Sequence, residues 1–258
     1  MLFHSLPMLD YTDKIVVITG AAGGLGRTFA QAFAGGGAQV VACDKNKAGA
    51  DETAQLVGGL GLEVDVTDAA SVERMTRQII DTYGRIDVLI NNAAIYATIN
   101  RKPFYELTDA EWDLVMNVNL KGVWQCTKAV VKPMIERFKN EGVGGKIINI
   151  SSATVMSGSP NWSHYVSSKG GVIGLTRSMA KELGGFNINV NAIAPGFTLT
   201  EASLNLMENA GQYGVDRGAI KRPSTAEDIA GTALYLASPL SDFVTGQTVI
   251  VDGGKQFI

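Results

Sequence analysis

Tyr165 and Lys169 are the pair of side chains whose types and spacing best fit acid/base chemistry. A separation of four residues places both on one face of a helix. A phenol with a pKa of about 10 is a poor acid or base near neutral pH, but a nearby ammonium group stabilises the phenolate and lowers that pKa. The pair could therefore pass a proton to or from an alcohol or carbonyl oxygen. The same spacing is also common on amphipathic helices without a catalytic role.

Strands and helices alternate along the chain and must position this pair. Seven short apolar runs predict strands, at residues 14–19, 39–43, 61–66, 86–90, 146–150, 188–193 and 248–251. Helical patterns lie at residues 27–34, 71–83, 108–138 with a break near 121–122, and 161–183. The alternation predicts an α/β fold of the Rossmann-like, doubly wound kind, with a mostly parallel seven-stranded sheet and helices on both faces.

Length and charge limit the classes of function. The chain has 258 residues, of which 46% are hydrophobic, and this is enough for one substantial core. We expect an N-terminal extension at residues 1–12, without the features of a signal peptide, and a single domain at residues 13–258. The net charge of -3, without long runs of one sign, gives no footprint for nucleic acid or an anionic membrane. No apolar run has the length of a membrane span.

The cysteines and histidines are too few and too dispersed for a disulfide framework or a zinc site. Cys43 and Cys126 are the two cysteines, and His4 and His164 are the two histidines. Unpaired cysteines fit a reducing compartment, so we expect a cytoplasmic protein without a metal. His164 adjoins Tyr165, but adjacent residues of a helix point apart, which argues against a direct catalytic role.

A glycine-rich turn follows the first predicted strand, with the spacing Gly20-x-x-x-Gly24-x-Gly26. Glycines let the backbone approach a pyrophosphate, and the following helix offers free N–H groups at its start. Without a ligand, the same residues would form only a tight turn. Asp44 ends the second strand, where a carboxylate can bind an adenosine ribose and repel a 2′-phosphate. We therefore expect NAD(H) rather than NADP(H), although Lys45 could offset the repulsion.

Further motifs occur in order along the chain. They are Thr19-Gly20-x-x-x-Gly24-Leu25-Gly26, Asp65-Val66, Asn91-Asn92-Ala93-Ala94, Asn119, Ser152, Tyr165-x-x-x-Lys169, Pro195-Gly196 with Thr198 and Thr200, Thr245-Gly246-Gln247 and Val251-Asp252-Gly253-Gly254. The ordered set, over residues 13–254, resembles the short-chain dehydrogenase/reductase family in its compact single-domain form. That family usually has glycine at the position of Ala94, which is a visible departure.

The resemblance implies catalytic roles for four residues. Tyr165 would be the general acid in carbonyl reduction and the base in alcohol oxidation, and Lys169 would lower its pKa and bind the nicotinamide ribose. Ser152 would hold the reacting oxygen, with Ser151 as a second, more structural candidate. Asn119 would maintain a helix distortion and a water molecule that links Lys169 to solvent.

Asn117 is a second candidate for the role of Asn119. The implied cofactor contacts are Gly20, Gly24, Leu25, Gly26, Asp44, Asp65, Val66, Asn92, Ala93, Tyr165, Lys169, Pro195, Gly196, Thr198 and Thr200. Asp65 could bind the adenine amino group or simply begin a helix, and the sequence leaves both alternatives open.

The segment at about residues 200–222 occupies the position of the family's variable substrate lid. Its apolar side chains, together with others near the catalytic residues, either line a pocket or pack in the core or between subunits; they are Leu204, Leu206, Met207, Tyr213, Tyr96, Val155, Met156 and Trp162. A pocket of this composition favours a moderately hydrophobic secondary alcohol or ketone, aromatic ones included. The leading hypothesis is therefore an NAD(H)-dependent alcohol dehydrogenase or ketone reductase.

Three other functions compete with it. The first is a 3-oxoacyl-carrier-protein reductase, which would share the catalytic residues but normally prefer NADPH. The second is a non-catalytic dinucleotide sensor, and the third is a structural scaffold, for which the ordered polar residues would have no use. The family resemblance also implies a homotetramer, with helices at 114–138 and 162–183 at one interface and the segment from Asp228 at the other.

Overall fold

The computed structural model describes residues 9–204 and 209–257. Its strands are β1 (Ile15–Thr19), β2 (Gln39–Asp44), β3 (Leu60–Glu63), β4 (Val88–Asn91), β5 (Gly145–Ile150), β6 (Ile188–Pro195), β7 (Thr198–Leu199), β8 (Ser224–Thr225) and β9 (Thr248–Val251). Seven of them form one sheet in the order β3-β2-β1-β4-β5-β6-β9, and every neighbouring pair in it is parallel. The predicted doubly wound, seven-stranded sheet is confirmed, while β7 and β8 form a separate small sheet.

Helices occupy the connections between these strands. They are α1 (Gly24–Gly35), α2 (Lys47–Val57), α3 (Ala69–Tyr83), α4 (Asp109–Met116), α5 (Gly122–Glu141), α6 (Thr154–Ser157), α7 (Ser163–Leu183), α8 (Glu201–Leu204) and α9 (Ala226–Ala237). A π-helical turn over Asn117–Lys121 joins α4 to α5, close to the predicted break. Neither α2 nor α9 is predicted from the sequence. No helix in the described ranges is both long and apolar enough to cross a membrane.

Several element boundaries differ from the predictions by a few residues, and local structure explains two of these differences. The third strand ends at Glu63 rather than at residue 66, because its partner β2 ends at Asp44 and the chain then turns through Asp65. The seventh helix starts at Ser163 rather than at Asn161, because Asn161 has a φ of 62°, a left-handed conformation that cannot continue a helix. Both shifts affect residues next to the site described below.

Alternate residues of β1 point to opposite faces of the sheet, and a separate apolar layer covers each face. Val17 belongs to the layer formed with α3, α5 and α7, whereas Val16 and Ile18 belong to the layer formed with α1 and α9. In α3, Val72, Met75 and Ile79 are buried in the first layer. The sheet is therefore covered on both sides, as predicted.

Tyr11 packs into the second of these layers, although it falls within the N-terminal extension expected at residues 1–12. It is only 2% exposed, its ring centroid lies 4.9 Å from that of Phe33, and its hydroxyl donates a hydrogen bond to the carbonyl oxygen of Leu234. The ordered core thus includes residues before position 13.

Candidate active site

The functional side chains converge at the carboxyl edge of the sheet. The glycine-rich turn follows β1, Asn92 follows β4, Ser152 follows β5 and Gly196 follows β6. In a parallel sheet these strand ends share one edge, and β1 is flanked by β2 on one side and β4 on the other. A reversal of strand order of this kind opens a crevice at the carboxyl edge, which is where open α/β sheets bind their ligands.

Close backbone contacts fix the glycine-rich turn in place. Gly20 has a φ of +66°, and a Cβ atom there would lie 2.7 Å from the Cα atom of Ala93. A Cβ atom on Gly26 would lie 2.1 Å from the carbonyl oxygen of Gly20. The amide of Asn92 donates to the carbonyl oxygens of Thr19 at 3.0 Å and Gly20 at 2.9 Å. The turn after β1 is therefore clamped to the strand end of β4.

The start of α1 is left accessible by this arrangement. A Cβ atom on Gly23 would meet no other atom within 4 Å, and one on Gly24 would approach only the side chain of Thr200, at 3.7 Å. Leu25 is partly buried against the α1–α9 layer, and Val66 is 8% exposed within the opposite layer. A pyrophosphate could thus approach the backbone of the turn without meeting a side chain at Gly23, which fits a dinucleotide.

Asp44 ends β2 directly beside the turn, as predicted. One of its carboxylate oxygens accepts from the Ala22 N–H at 3.0 Å and the other from the Asn46 N–H at 2.9 Å. These two bonds hold a negative charge beside the turn, where the second ribose of a dinucleotide would lie. Lys45 does not neutralise this charge, because its ammonium pairs with Asp65 at 2.8 Å.

The Asp65 carboxylate is bonded to Lys45 and Thr67. Besides Lys45, it accepts hydrogen bonds from the N–H of Thr67 at 2.9 Å and from its hydroxyl at 2.6 Å. The bond from Lys45 and those from Thr67 lower the pKa of Asp65 to about 2. The alternative that Asp65 begins a helix is wrong, since Asp68 is the residue that caps α3, by accepting from the Ala70 N–H.

Tyr165 lies in the first turns of α7 among aromatic side chains. Its ring centroid is 4.8 Å from that of Trp162 and 6.4 Å from that of Tyr96, and the residue is 8% exposed. Burial raises the pKa of Tyr165 to about 12, and a hydrogen bond with Ser152 acts in the opposite direction. The phenol is therefore protonated at neutral pH in this structure, which is the form that can donate a proton.

Thr154 orients Ser152. Its hydroxyl donates to the Ser152 Oγ at 2.9 Å, and its N–H lies 3.3 Å from the same atom. With its oxygen accepting these bonds, the Ser152 hydroxyl can direct its own proton at Tyr165 or at a substrate oxygen. Ser151 is occupied elsewhere, since its hydroxyl donates to the carbonyl oxygen of Lys169 at 2.9 Å.

Lys169 lies one turn beyond Tyr165 and is 2% exposed. Its ammonium donates to the carbonyl oxygen of Ile150 at 2.7 Å and lies 5.9 Å from the centroid of the Tyr165 ring. Burial lowers the pKa of Lys169 to about 8. The lysine thus places a buried cation near the phenol without bonding to it directly.

Asn119 occupies the π-helical turn and is fully buried, whereas Asn117 is exposed. Its amide accepts from the N–H of Ile95 at 2.9 Å and donates to the carbonyl oxygen of Ile95 at 3.1 Å. It also lies 3.3 Å from the Ser168 hydroxyl, which in turn donates to the carbonyl oxygen of Tyr165 at 2.7 Å. Asn119 therefore connects the β4–α4 loop with α7, the helix that carries Tyr165 and Lys169.

The segment after β6 closes the crevice on the other side. The Pro195 carbonyl oxygen accepts from the Ala153 N–H at 2.9 Å, and a Cβ atom on Gly196 would lie 2.7 Å from that of Asp252. Thr198 donates to the Gly196 carbonyl oxygen at 3.1 Å.

The segment expected to form the substrate lid, at about residues 200–222, follows. The Thr200 hydroxyl lies 3.4 Å from that of Tyr96, so the lid side of the crevice touches the β4–α4 loop. Leu204 and Tyr213 are exposed, at 55% and 45%. Leu206 and Met207 lie outside the described residues.

Some residues of the site are not singled out by the sequence. Thr19 accepts from the N–H groups of Asn92 and Ala93, both at 3.1 Å, and Thr154 and Ser168 support the catalytic side chains as described. The guanidinium carbon of Arg101 lies 4.0 Å above the Trp162 ring. Thr19 belongs to the first motif of the sequence, but no local pattern marks Thr154, Ser168 or Arg101.

Comparisons with known proteins complete this description. A family model described as enoyl-(acyl carrier protein) reductase matches residues 20–256. The 3-oxoacyl-[acyl-carrier-protein] reductase FabG of Thermotoga maritima is 41% identical, with 93% of this chain and 97% of that protein covered. The (2S)-[(R)-hydroxy(phenyl)methyl]succinyl-CoA dehydrogenase subunit BbsD of Thauera aromatica is 40% identical, with 94% and 96% covered.

A solved structure is similar over nearly its whole length. It is named ribose-5-phosphate isomerase from Brucella melitensis 16M and superposes with a TM-score of 0.88 at 33% identity, covering 96% of this chain and 94% of that one. Both curated names above designate enzymes that oxidise or reduce, whereas this name designates an isomerase.

Proposed function

Because the chain belongs to the short-chain dehydrogenase/reductase family, it is an oxidoreductase, and we propose that it transfers a hydride between NAD(H) and a carbon that bears a secondary hydroxyl or keto group. The observation that carries this proposal is the buried group of Ser152, Tyr165 and Lys169 beside an accessible glycine-rich turn. When bound, the nicotinamide supplies or accepts the hydride. No described group of three or more His, Cys, Asp or Glu side chains could hold a metal ion.

The residues of this chain supply the proton chemistry. In reduction, Tyr165 would donate its proton to the oxygen of the carbonyl while Ser152 donates a hydrogen bond to the same oxygen, so that the developing negative charge is met by two donors. The Lys169 ammonium would then stabilise the phenolate that remains. In oxidation the phenolate would take the proton back.

NAD(H) is proposed because of the charge beside the turn. Asp44 is held there by two backbone N–H groups, and the nearby cations are already paired, Lys45 with Asp65 and Arg27 with Glu52 at 2.8 Å. A 2′-phosphate would meet a carboxylate without a free cation from these residues, which disfavours NADP(H).

The relatives favour a thioester as the form of the substrate. The name of the Thermotoga protein specifies a 3-oxoacyl group on a carrier protein, and that of the Thauera protein specifies a hydroxyl-bearing acyl group on coenzyme A. Both are compounds in which a hydroxyl or keto group stands on an acyl chain. We therefore propose a 3-oxoacyl or 3-hydroxyacyl thioester, in preference to the free hydrophobic alcohol that the pocket composition suggests.

Initial rates with NADH and NADPH would test the proposal. The substrates are acetoacetyl-CoA as a 3-oxoacyl thioester, acetophenone as a free aryl ketone, and crotonyl-CoA as an enoyl thioester. We expect NADH-linked turnover of acetoacetyl-CoA to be fastest. Turnover of acetophenone alone would restore the free-ketone hypothesis, and turnover of crotonyl-CoA alone would replace carbonyl reduction with alkene reduction. NADH binding without turnover of any of them would favour a dinucleotide sensor.

A further inference from the structure

Arg101 places a positive charge close to the catalytic tyrosine. Its guanidinium carbon lies 4.0 Å above the ring of Trp162, and that ring lies 4.8 Å from the ring of Tyr165. Arg101 is exposed, and across residues 9–204 and 209–257 no carboxylate lies within 4 Å of its guanidinium nitrogens. A guanidinium held over an aromatic ring by a cation–π contact can still direct its N–H groups at a planar anion.

The carboxylate that contacts both sequence neighbours of Arg101 is already paired. Glu111 pairs with Lys102 at 2.7 Å and accepts hydrogen bonds from Asn100 at 3.1 Å and from Thr108 at 2.8 Å. The bond from Lys102, followed by those from Thr108 and Asn100, holds the pKa of Glu111 well below its usual range. The carboxylate is therefore charged but fully engaged, and it leaves the Arg101 charge unneutralised.

The chain on the carboxyl side of Arg101 is anchored to the start of the catalytic helix. The N–H of Lys102 donates to the carbonyl oxygen of Asn161 at 3.1 Å, and Asn161 has the left-handed φ that precedes α7. Glu111 also belongs to the capping box of α4 with Thr108. These contacts fix the backbone next to Arg101 relative to the start of α7, and the contact with Trp162 places its guanidinium near Tyr165.

We propose that Arg101 binds a carboxylate on the acyl part of the substrate, and that the substrate is a 3-oxo or 3-hydroxy acyl compound with a second, free carboxylate. This inference rests on the proposed function and narrows its substrate class. The Arg101 guanidinium contacts the Trp162 ring, and the Trp162 ring contacts the Tyr165 ring. A short acyl chain can span this distance. The phosphate of a pantetheine arm lies many bonds beyond the thioester, so we expect it to lie away from Arg101 while the keto group meets Tyr165.

Two coenzyme A esters of equal acyl length distinguish binding of the acyl carboxylate from binding of a phosphate. 3-Oxoadipyl-CoA has a terminal carboxylate that 3-oxohexanoyl-CoA lacks, while both carry the same phosphates. In Arg101→Gln, KM for 3-oxoadipyl-CoA should rise about tenfold or more, as expected for the loss of a hydrogen bond between charged groups. KM for 3-oxohexanoyl-CoA and both kcat values should change less than about twofold, and Arg101→Lys should restore part of the difference. Arg77→Gln, which removes the same charge from the exposed face of α3, is the control.

If Arg101→Gln raises KM equally for the two esters, Arg101 binds a phosphate. If it changes KM for neither, Arg101 contacts no part of the substrate. Either result overturns the proposal. Binding to Tyr165→Phe protein saturated with NADH gives a readout that does not depend on turnover. There, 3-oxoadipyl-CoA should bind more tightly than 3-oxohexanoyl-CoA, and the difference should vanish on adding Arg101→Gln. If Tyr165→Phe protein with an intact Arg101 binds the two esters with equal affinity, this inference is overturned. If it prefers 3-oxoadipyl-CoA but the original protein turns over neither ester, only the proposed reaction is overturned.

Discussion

Burial moves the pKa values of the two central side chains in opposite directions. It raises that of Tyr165 to about 12 and lowers that of Lys169 to about 8, because each group loses water around its charged form. In the absence of cofactor, the two groups therefore form a neutral phenol beside a cation of reduced pKa. We expect the bound cofactor and substrate to complete the charge environment of Tyr165 and Lys169.

The phenol proton itself is tested by Tyr165→Phe. This variant should lose turnover by about 10²–10⁴-fold, which is the usual contribution of a positioned acid or base. Its dissociation constant for NADH should stay within about twofold of the original, because the ring and its packing on Trp162 remain. Steady-state turnover assays and fluorescence titration of NADH measure both quantities. Tyr235→Phe, on the exposed side of α9, should leave both unchanged; full activity in Tyr165→Phe would contradict the assigned mechanism.

The lowered pKa of Lys169 predicts a pH dependence of stability. Between pH of about 8 and 10.5 the unfolded chain binds a proton at this lysine that the folded chain has lost, so the free energy of unfolding should rise with pH in that window. Lys169→Met should lack this increment. Urea unfolding of the cofactor-free proteins at several pH values gives the difference between them, in which the other titrating groups cancel. A difference that is flat or falls with pH would contradict the assigned cause.

The carboxylate of Asp44 is tested through cofactor preference. Asp44→Ala should lower the ratio of kcat/KM for NADH over NADPH by about tenfold or more, because the repulsion of a 2′-phosphate disappears with the charge. Glu63→Ala removes an exposed carboxylate from the end of the adjacent strand β3 and should leave the ratio unchanged. If the two variants behave alike, Asp44 does not meet the ribose.

At the scale of elements, the glycine-rich turn is the feature most dependent on close packing. A Cβ atom on Gly26 would lie 2.1 Å from the carbonyl oxygen of Gly20, which is backbone and cannot move aside cheaply. Gly26→Ala should therefore lower the free energy of unfolding by about 1–3 kcal/mol and weaken NADH binding. Denaturant unfolding and NADH titration measure the two effects.

The same helix offers a control for that variant. Gly35 ends α1 and has no atom within 4 Å of a Cβ position, so Gly35→Ala should leave both measurements unchanged or slightly raise stability. If Gly26→Ala is equally harmless, the turn has more freedom than its contacts indicate.

Elements with strong periodicity are predictable from this sequence, and those packed through small residues are not. The apolar runs of the seven-stranded sheet and the apolar stripe of α3 are recognisable in the sequence. In contrast, α9 buries alanines such as Ala226, Ala230 and Ala233, and α2 buries Ala50 and Ala54. Alanine adds little to an apolar pattern, although α9 also buries Ile229 and Leu236.

The supporting residues of the site are hidden from the sequence for a different reason. Asn119 and a break in its helix are predicted from the sequence, but its partner Ile95 lies 24 positions away and is not. Thr154 reaches Ser152 only because the chain turns into α6 after β5. Such partners are set by the path of the chain, whereas the catalytic pair is recognisable from the spacing of Tyr165 and Lys169.

At the scale of the whole molecule, an apolar groove between the π-helical turn, α5 and α7 supports the expected homotetramer. It is lined by Met116, Leu120, Trp124 and Leu175, and Trp124 is 41% exposed. A large aromatic side chain exposed beside such a groove is a common feature of subunit interfaces. We therefore propose that this face pairs with a second copy of the chain.

Gly174 lies in this groove and allows a direct test. A Cβ atom there meets nothing within 4 Å, so Gly174→Arg should fold normally but obstruct a partner. Light scattering after gel filtration should show a mass of four chains for the original protein and a smaller one for the variant. Gly35→Arg places the same side chain in open space on α1 and should keep the larger mass. A monomeric original protein would remove the proposal.

The bond from Tyr11 to Leu234 also imposes an order on biosynthesis. The acceptor is made 223 positions after the donor, so Tyr11 leaves the ribosome long before its partner exists. Until α9 has emerged, the outer side of α1, including Phe33, lacks the layer that covers it in the finished molecule. We therefore expect the nascent chain to expose this apolar flank until late in translation.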